Sequence, residues 1–398
     1  MIVRSARTAS LVLALVAHGP FLIADPLAAQ ERGPQPVSAQ ELQAAIDRLG
    51  NLDFGIRMNA SRTIRRAPAT QAVPALIQAV SEHADGYVRF RALVLLTGFN
   101  DPRTAGIVRG LLNDPNNRLR EVAYAWYEQH PDPAMIPQLL QSLEHEQDDL
   151  LRPALIRALA AHGTDPRVRD TLLTDVRRGQ DFFRSAVIEA LGDYRGTYAV
   201  QSIIEVAMLD GPLQHDAVLA LGRIGDQRAL ETLAGLQRSA SRENQPAIAV
   251  AICLLGVNCA AHEKYVADTL QFAARNPGFQ ELLRGAAMAA SALALHGSQN
   301  ALQLLFDVGI PAENPARAPL ALAVATTALR NTPLLLATLG QYSDHAGAIA
   351  LLAEGFDMLE EDFQEERFFV AVRHEYWQAA DGSAARAIAE ALIQKLEF

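Results

Sequence analysis

A short pattern recurs along most of the chain at an almost constant spacing. An Arg or Gln returns every 30 to 32 residues, and in the first six copies an apolar residue precedes it and an Asp lies a few residues upstream. The Arg and Gln positions of this pattern are Arg57, Arg89, Arg120, Arg152, Arg184, Gln214 and Gln245. A fixed period of this length over seven copies is typical of a solenoid, in which each repeat is one small structural unit.

Each copy contains two segments with the composition and spacing of helices. The segment after the Arg is rich in Ala and Leu and often ends near Gly, as in IEALGD and VLALGR. A turn such as HPDP or TDPR follows, and then a second apolar segment such as AMIPQLLQSL. Asp stabilises a helix start, whereas Gly and Pro favour a helix end. Because neither helix of a pair buries its apolar stripe alone, the sequence predicts an all-α fold, an α-solenoid of stacked helical hairpins.

This pattern resembles the HEAT repeat, especially the short bacterial form named after the phycobilisome lyases. The resemblance implies a structural ladder in which Asp and Arg side chains of successive repeats pair with one another. The ladder positions that carry Arg are Arg57, Arg89, Arg120, Arg152 and Arg184. Gln214 and Gln245 depart from the pattern, so we expect the ladder to lose charge there.

The pattern divides the chain into four segments. These are a signal peptide over residues 1–29, a short linker over 30–36, regular HEAT-like repeats over 37–260, and less regular repeats with a C-terminal cap over 261–398. In the last segment the period stretches to 39 residues between Gln245 and Arg284, which predicts a longer helix or an added turn near ARNPGF. The acidic stretch 356–369 is interpreted as a helix with a solvated face, and Ser383 is expected to cap a closing helix.

The N-terminus has the parts of an export signal. Arg4 and Arg7 precede the apolar run Ala9–Ala17, and PLAAQ follows with a plausible cleavage point near Ala29. The apolar run is too short to span a bilayer. We therefore expect an exported protein, periplasmic or secreted, with no membrane insertion after cleavage; an uncleaved anchor is the alternative.

The charge of the chain bears on the partners that it can bind. The net charge is -10, and residues 201–398 hold 23 Asp and Glu against 13 Lys and Arg. Binding of nucleic acid requires clustered cations that neutralise phosphates, so no nucleic-acid partner is expected.

Two cysteines occur, Cys253 in a predicted helix and Cys259 just beyond it. In an exported protein they could form a disulfide that closes the helix end. The alternative is a buried free Cys253, which is the usual state of a helical cysteine. The spacing allows either state.

Two His–carboxylate pairs, His215–Asp216 and His374–Glu375, resemble the metal-binding pairs of the HEAT-like deoxyhypusine hydroxylases. A di-iron site needs several such pairs on facing helices. The corresponding positions of the other copies carry no His–carboxylate pair. We therefore expect no metal, no cofactor and no catalytic residue.

The predicted function is a non-catalytic HEAT-repeat scaffold of the cell envelope that binds a protein or peptide on its concave face. The helices that follow the ladder positions should supply that face. The residues predicted to bind are Arg62, Arg66, Phe90, Tyr124, Arg157 and Glu189. A HEAT-like enzyme, either a lyase or a metal-dependent hydroxylase, and a purely structural envelope component are the alternatives.

Overall fold

The computed structural model describes residues 33–359 and 361–398, and this part of the chain is helical throughout, without strands. The helices of the first half are α1 Ala39–Arg48, α2 Phe54–Arg66, α3 Ala69–Glu82, α4 Gly86–Gly98, α5 Thr104–Leu111, α6 Asn117–Gln129, α7 Ile136–His145, α8 Arg152–Ala160, α9 Pro166–Arg177, α10 Asp181–Asp193 and α11 Val200–Ala207. Those of the second half are α12 Gln214–Ile224, α13 Leu230–Ser239, α14 Gln245–Leu254, α15 Cys259–Arg275, α16 Gln280–Leu295, α17 Gln299–Gly309, α18 Arg317–Arg330, α19 Thr332–Leu339, α20 His345–Phe356, α21 Asp362–Gln378 and α22 Ala384–Leu396. The predicted signal peptide lies outside the described residues.

Helices α1 to α18 form successive hairpins, and in the first seven of them the second helix begins at or near a ladder position. These second helices pack side by side; α10, for example, lies between α8 and α12. Glycine permits the closest approaches between them. A β-carbon on Gly222 of α12 would lie 2.6 Å from the Cα of Ala251 in α14, which is too close for any other residue without a shift of the backbone. The predicted all-α solenoid is confirmed.

The ladder side chains form hydrogen bonds within their own repeat as well as contacts with the next repeat. Arg89 donates to the carbonyl oxygen of Val80 and also pairs with Asp114 of the next repeat at 2.7 Å. Arg184 donates to the carbonyl oxygen of Val176, near the C-terminal end of α9. These side chains therefore satisfy carbonyl groups that a helix leaves unpaired at its C-terminus.

The implied Asp–Arg ladder between repeats is correct for only some of its positions. Arg120 crosses to the next repeat, but its partner is Glu146, at 2.8 Å, rather than Asp148. Arg57 donates only to carbonyl oxygens of its own preceding loop. Arg152 lies against the ring of Phe183 in the next repeat, with its guanidinium carbon 3.8 Å from the ring centroid. The prediction of a continuous charged ladder is therefore wrong, because nearby carbonyls, a glutamate and an aromatic ring take the place of Asp.

Gln214 preserves the ladder connections without a charge. Its side-chain amide donates to the carbonyl oxygen of Ala207 at 3.0 Å and accepts from Asn244 of the next repeat at 2.6 Å. Gln245 likewise donates to the carbonyl oxygen of Ala240. The expected loss of charge at these two positions is present, while the hydrogen bonds remain.

The longer period after residue 260 has the predicted cause. Helix α15 has 17 residues and α16 has 16, whereas the second helices before them have 9 to 13. Ser383 accepts from the backbone N–H of Arg386 and caps α22, as expected. Cys253 and Cys259 form a disulfide that joins α14 to the start of α15.

Helix α21 returns from the C-terminal end of the array to its N-terminal end. It packs against α4 and α6 as well as against α18. Glu366 of α21 forms a two-pronged ion pair with Arg65 of α2 at 2.6 to 3.0 Å, and Asp362 pairs with Arg91 of α4. The predicted solvated face of the acidic stretch is therefore wrong. Glu366 is 2% exposed, because its carboxylate meets a cation that lies 301 residues earlier in the chain.

The C-terminal residues also connect the two ends of the array. Arg62 donates to the carbonyl oxygen of Glu397 at 2.6 Å. Phe398 is buried and stacks on Phe369 of α21, with ring centroids 4.1 Å apart. The guanidinium carbon of Arg65 also lies over the ring of Phe369, 5.1 Å from its centroid. The solenoid thus closes on itself, and its two ends share one apolar and ionic seam.

No single helix within the described ranges has the length and apolarity needed to cross a membrane. Helices α18 and α19 together pass that test by composition, but they are bent by 115° where they meet.

Candidate binding cavity

A cavity of about 600 Å³ lies at the centre of the closed array. Its walls come from second helices of hairpins early and late in the chain, together with α21. The helices that contribute lining residues are α4, α6, α8, α10, α12, α16, α18 and α21. The repeat therefore places side chains that are far apart in the sequence around one half-open cavity.

One side of the cavity is organised around the carboxylate of Asp193. Arg223 donates to this carboxylate at 2.5 Å, Arg157 at 2.8 Å and Arg330 at 3.4 Å. Burial opposes ionisation of Asp193, but the three guanidinium groups outweigh it and lower its pKa to about 2. Asp193 is therefore ionised throughout the physiological range, and three cations share its single negative charge.

Glu128 extends this network to α6. It accepts from Arg157 at 2.7 Å and from the hydroxyl of Tyr194 at 2.9 Å. Burial, reinforced by the charge of Glu128, raises the pKa of Tyr194, so the phenol stays protonated and acts as a donor. The arginine, the tyrosine and both carboxylates thus form one connected wall.

Two further guanidinium groups line the cavity without a hydrogen bond or an ion pair among the described residues: those of Arg195 and Arg367. Partial burial lowers the pKa of Arg367, with Glu128 and Tyr194 acting in the opposite direction. The Nε of Arg223 is also buried and finds no acceptor in that part of the chain. The basic side of the cavity therefore retains donors that the protein itself does not satisfy.

The opposite side of the cavity is acidic. Glu121 of α6 faces Glu361 and Asp362 at the start of α21. Burial, together with the charge of Asp362, raises the pKa of Glu121. Apolar side chains also line the cavity, and these include Leu295, Leu329 and Phe363. The cavity thus combines a basic wall, an acidic wall and an apolar surface.

Comparison with known proteins agrees with this architecture. A family model of HEAT repeats matches residues 42–128 and, in an overlapping register, residues 73–160. Residues 42–160 of the chain therefore carry HEAT repeats. No curated protein matches the chain. The matched segments end at residue 160, and the helical hairpins that follow continue the stack.

Of the six residues predicted to bind, three border the cavity: Phe90, Arg157 and Glu189. Phe90 is only 3% exposed, so the expectation of an exposed position is wrong for it. Arg62 and Arg66 lie near the end of α2 and are not among its lining residues. Arg62 is instead part of the closing seam, through its bond to Glu397.

The expectation that Tyr124 lies on an exposed inner face is wrong. Its side chain is 1% exposed, and its hydroxyl bonds to Glu146 at 3.1 Å and to the carbonyl oxygen of Leu112. Burial raises its pKa to about 12. Tyr124 therefore supports the Arg120–Glu146 pair from within the core rather than meeting a ligand.

Sequence reasoning missed most of the basic wall, although a signal for part of it exists. Asp193 ends IEALGD, and Arg223 occupies the same place in VLALGR, 30 residues later. Opposite charges at equivalent positions of adjacent repeats indicate a contact between them. No such signal links Arg330 or Arg367 to this wall, because only the closure of the array brings α18 and α21 there.

The two His–carboxylate pairs lie apart from one another. His215 packs against Gly285 of α16, and Asp216 accepts from the hydroxyl of Ser185 at 2.6 Å. Burial, aided by the charge of Arg223, lowers the pKa of His215 to about 4, so its ring is neutral. His374 is exposed on α21. In the described ranges, the one group of three side chains spaced for a metal ion is Cys253, Cys259 and Glu263, which includes neither histidine.

Proposed function

We propose that this HEAT-repeat protein is a non-catalytic scaffold that binds a peptide segment of a partner protein in its central cavity. The observation that carries the proposal is the group of guanidinium donors on the cavity wall. Arg195 and Arg367 have no protein partner among the described residues, and the buried Nε of Arg223 has no acceptor there. HEAT and related solenoids offer their concave faces to partners in this way.

The size and the lining of the cavity favour a short segment over a folded domain. About 600 Å³ is the volume of a site for a drug-sized ligand. Apolar side chains beside a few placed charges are typical of a site that orients a ligand through polar contacts and gains affinity from apolar burial. A few residues of an extended chain match this combination.

Site-specific photo-crosslinking tests the proposal. A photoreactive phenylalanine analogue at Glu189, inside the cavity, should form adducts with a partner in an envelope extract. The same analogue at Arg238, which is exposed on α13, should not. Peptide mapping of the adducts should locate one short partner segment. Equal labelling at both positions, or labelling at Arg238 alone, would remove the cavity as the binding site.

We also propose that the chain is exported to the cell envelope. The basic residues Arg4 and Arg7, the apolar run Ala9–Ala17 and the small residues near Ala29 support this proposal. Mass spectrometry of the native protein should find a mature N-terminus close to residue 30. A native protein that retains Met1 and the apolar run would contradict cleavage.

A further inference from the structure

The basic wall of the cavity has more positive than negative charge. Five guanidinium groups line it, those of Arg157, Arg195, Arg223, Arg330 and Arg367. The nearby carboxylates are those of Glu128, Glu189 and Asp193. This excess of two positive charges is confined to the basic wall, because Glu121, Glu361 and Asp362 line the acidic side of the same cavity.

The internal ion pairs do not use the full donor capacity of these arginines. Arg157 is fixed by two carboxylates, and Arg223 uses one terminal nitrogen on Asp193 while its Nε has no acceptor. Arg330 reaches Asp193 only at 3.4 Å and is otherwise exposed to the cavity. Arg367 has no pair in the described part of the chain. Because guanidinium groups bind carboxylates through two parallel hydrogen bonds, Arg330 and Arg367 are suited to a second carboxylate.

We propose that this wall binds the free C-terminal carboxylate of an extended peptide, with Arg330 and Arg367 as its main contacts. The inference rests on the proposed function and names the part of the partner that is recognised. An excess of positive charge repels an N-terminal ammonium group and attracts a terminal carboxylate. Leu295, Leu329 and Phe363 line the same cavity and offer an apolar surface to the last side chains of the peptide.

Three pools of random hexapeptides, each attached to beads by the N-terminus and made without Asp or Glu at the random positions, test this inference. The first pool ends in a free carboxylate. The second ends in an amide. The third also ends in an amide but carries one internal Glu. We expect the full-length protein to be retained by the first pool and to be retained at least tenfold less by the other two, because a charged donor loses its partner.

Two variants and one matched control locate the contact. Arg330→Gln and Arg367→Gln should each weaken retention on the free-acid pool roughly tenfold to a hundredfold. Arg238→Gln, which changes an exposed arginine on α13, should leave retention unchanged. Circular dichroism of each variant checks that it remains folded, and both cavity arginines are exposed enough for replacement without loss of packing.

The outcomes separate the inference from the proposed function. Equal retention on the free-acid and amidated pools, or on the pool with internal Glu, overturns C-terminal recognition but leaves peptide binding in place. Unchanged retention of both cavity variants also overturns it. Absence of retention on every pool contradicts the proposed function together with the inference.

Discussion

At the scale of single residues, the ladder position shows what a repeat needs from its polar side chain. Arg89, Arg184 and Gln214 all donate to a carbonyl oxygen near the end of the preceding helix. At these three positions the hydrogen bond to the carbonyl is kept with or without the charge of arginine, so the charge is dispensable there. This distinction was not predictable from the pattern of Arg alone, because the acceptors are backbone groups that any sequence provides.

Replacement of Gln214 by Ala should destabilise the array. Gln214 is 4% exposed, and its loss leaves the carbonyl oxygen of Ala207 and the amide of Asn244 without their partner. We expect a decrease of about 1–3 kcal/mol in the free energy of unfolding, measured by urea denaturation. Gln237→Ala, at an exposed position on α13, is the control and should change it by less than about 0.5 kcal/mol. A Gln214→Ala variant as stable as its control would show that these bonds contribute nothing.

Glu365 should make stability depend on pH. Its burial, together with the charge of Asp362, raises its pKa to about 7, against about 4.3 in an unfolded chain. Glu361 acts in the same direction, while Arg91 and Arg65 act against it. Between these two values the folded state binds the proton more tightly than the unfolded state does. The stabilising contribution is therefore complete below about pH 4 and is lost as the pH rises through 7.

Replacement of Glu365 by Gln removes this titration. The variant should have a higher melting temperature than the natural protein at pH 8, and the difference should be much smaller at pH 5. Glu231→Gln, at an exposed position on α13, should follow the natural protein at both pH values. A difference at pH 8 that is no larger than the difference at pH 5 would contradict the assignment.

At the scale of elements, regular helices were predictable from the sequence and the path of α21 was not. The Asp caps, the apolar spacing and the period near 32 residues come from local interactions, so the pattern contains them directly. The acidic stretch 356–369 reads locally as a solvated face. Its carboxylates pair with Arg65 and Arg91, which lie 301 and 271 residues earlier in the sequence. No local sequence pattern indicates a contact across that separation.

The Arg65–Glu366 pair is the part of this seam best suited to mutation. Arg65→Met should lower the free energy of unfolding by about 3–5 kcal/mol, because it leaves a buried carboxylate without its cation. The double variant Arg65→Met with Glu366→Leu should recover most of that loss, since apolar side chains of similar size often replace a buried ion pair well. Urea denaturation measures both, and hydrogen exchange of α21 reports where the loss occurs. A double variant as unstable as the sum of its two single variants would contradict a direct contact.

At the scale of the whole molecule, closure converts an open concave face into a bounded cavity. The sequence predicts that the second helices supply the functional face. Three of the predicted residues on these helices, Phe90, Arg157 and Glu189, border the cavity. Arg330 and Arg367 complete the basic wall only because α18 and α21 reach it from the far end of the chain. The candidate site is therefore a property of the closed array more than of any one repeat.

The most direct test of closure is the distance between the two ends of the array. Arg62 bridges the side chain of Asn59 and the backbone of Glu397, so spin labels on Asn59→Cys and Glu397→Cys should lie within about 20 Å of each other, after allowance for label linkers of several extended bonds. The natural cysteines are joined as a disulfide and take no label. Pulsed electron paramagnetic resonance should give one narrow, short distance. An open stack of roughly ten hairpins about 9 Å apart would separate the ends by up to about 90 Å, and a long, broad distribution would contradict the closed array.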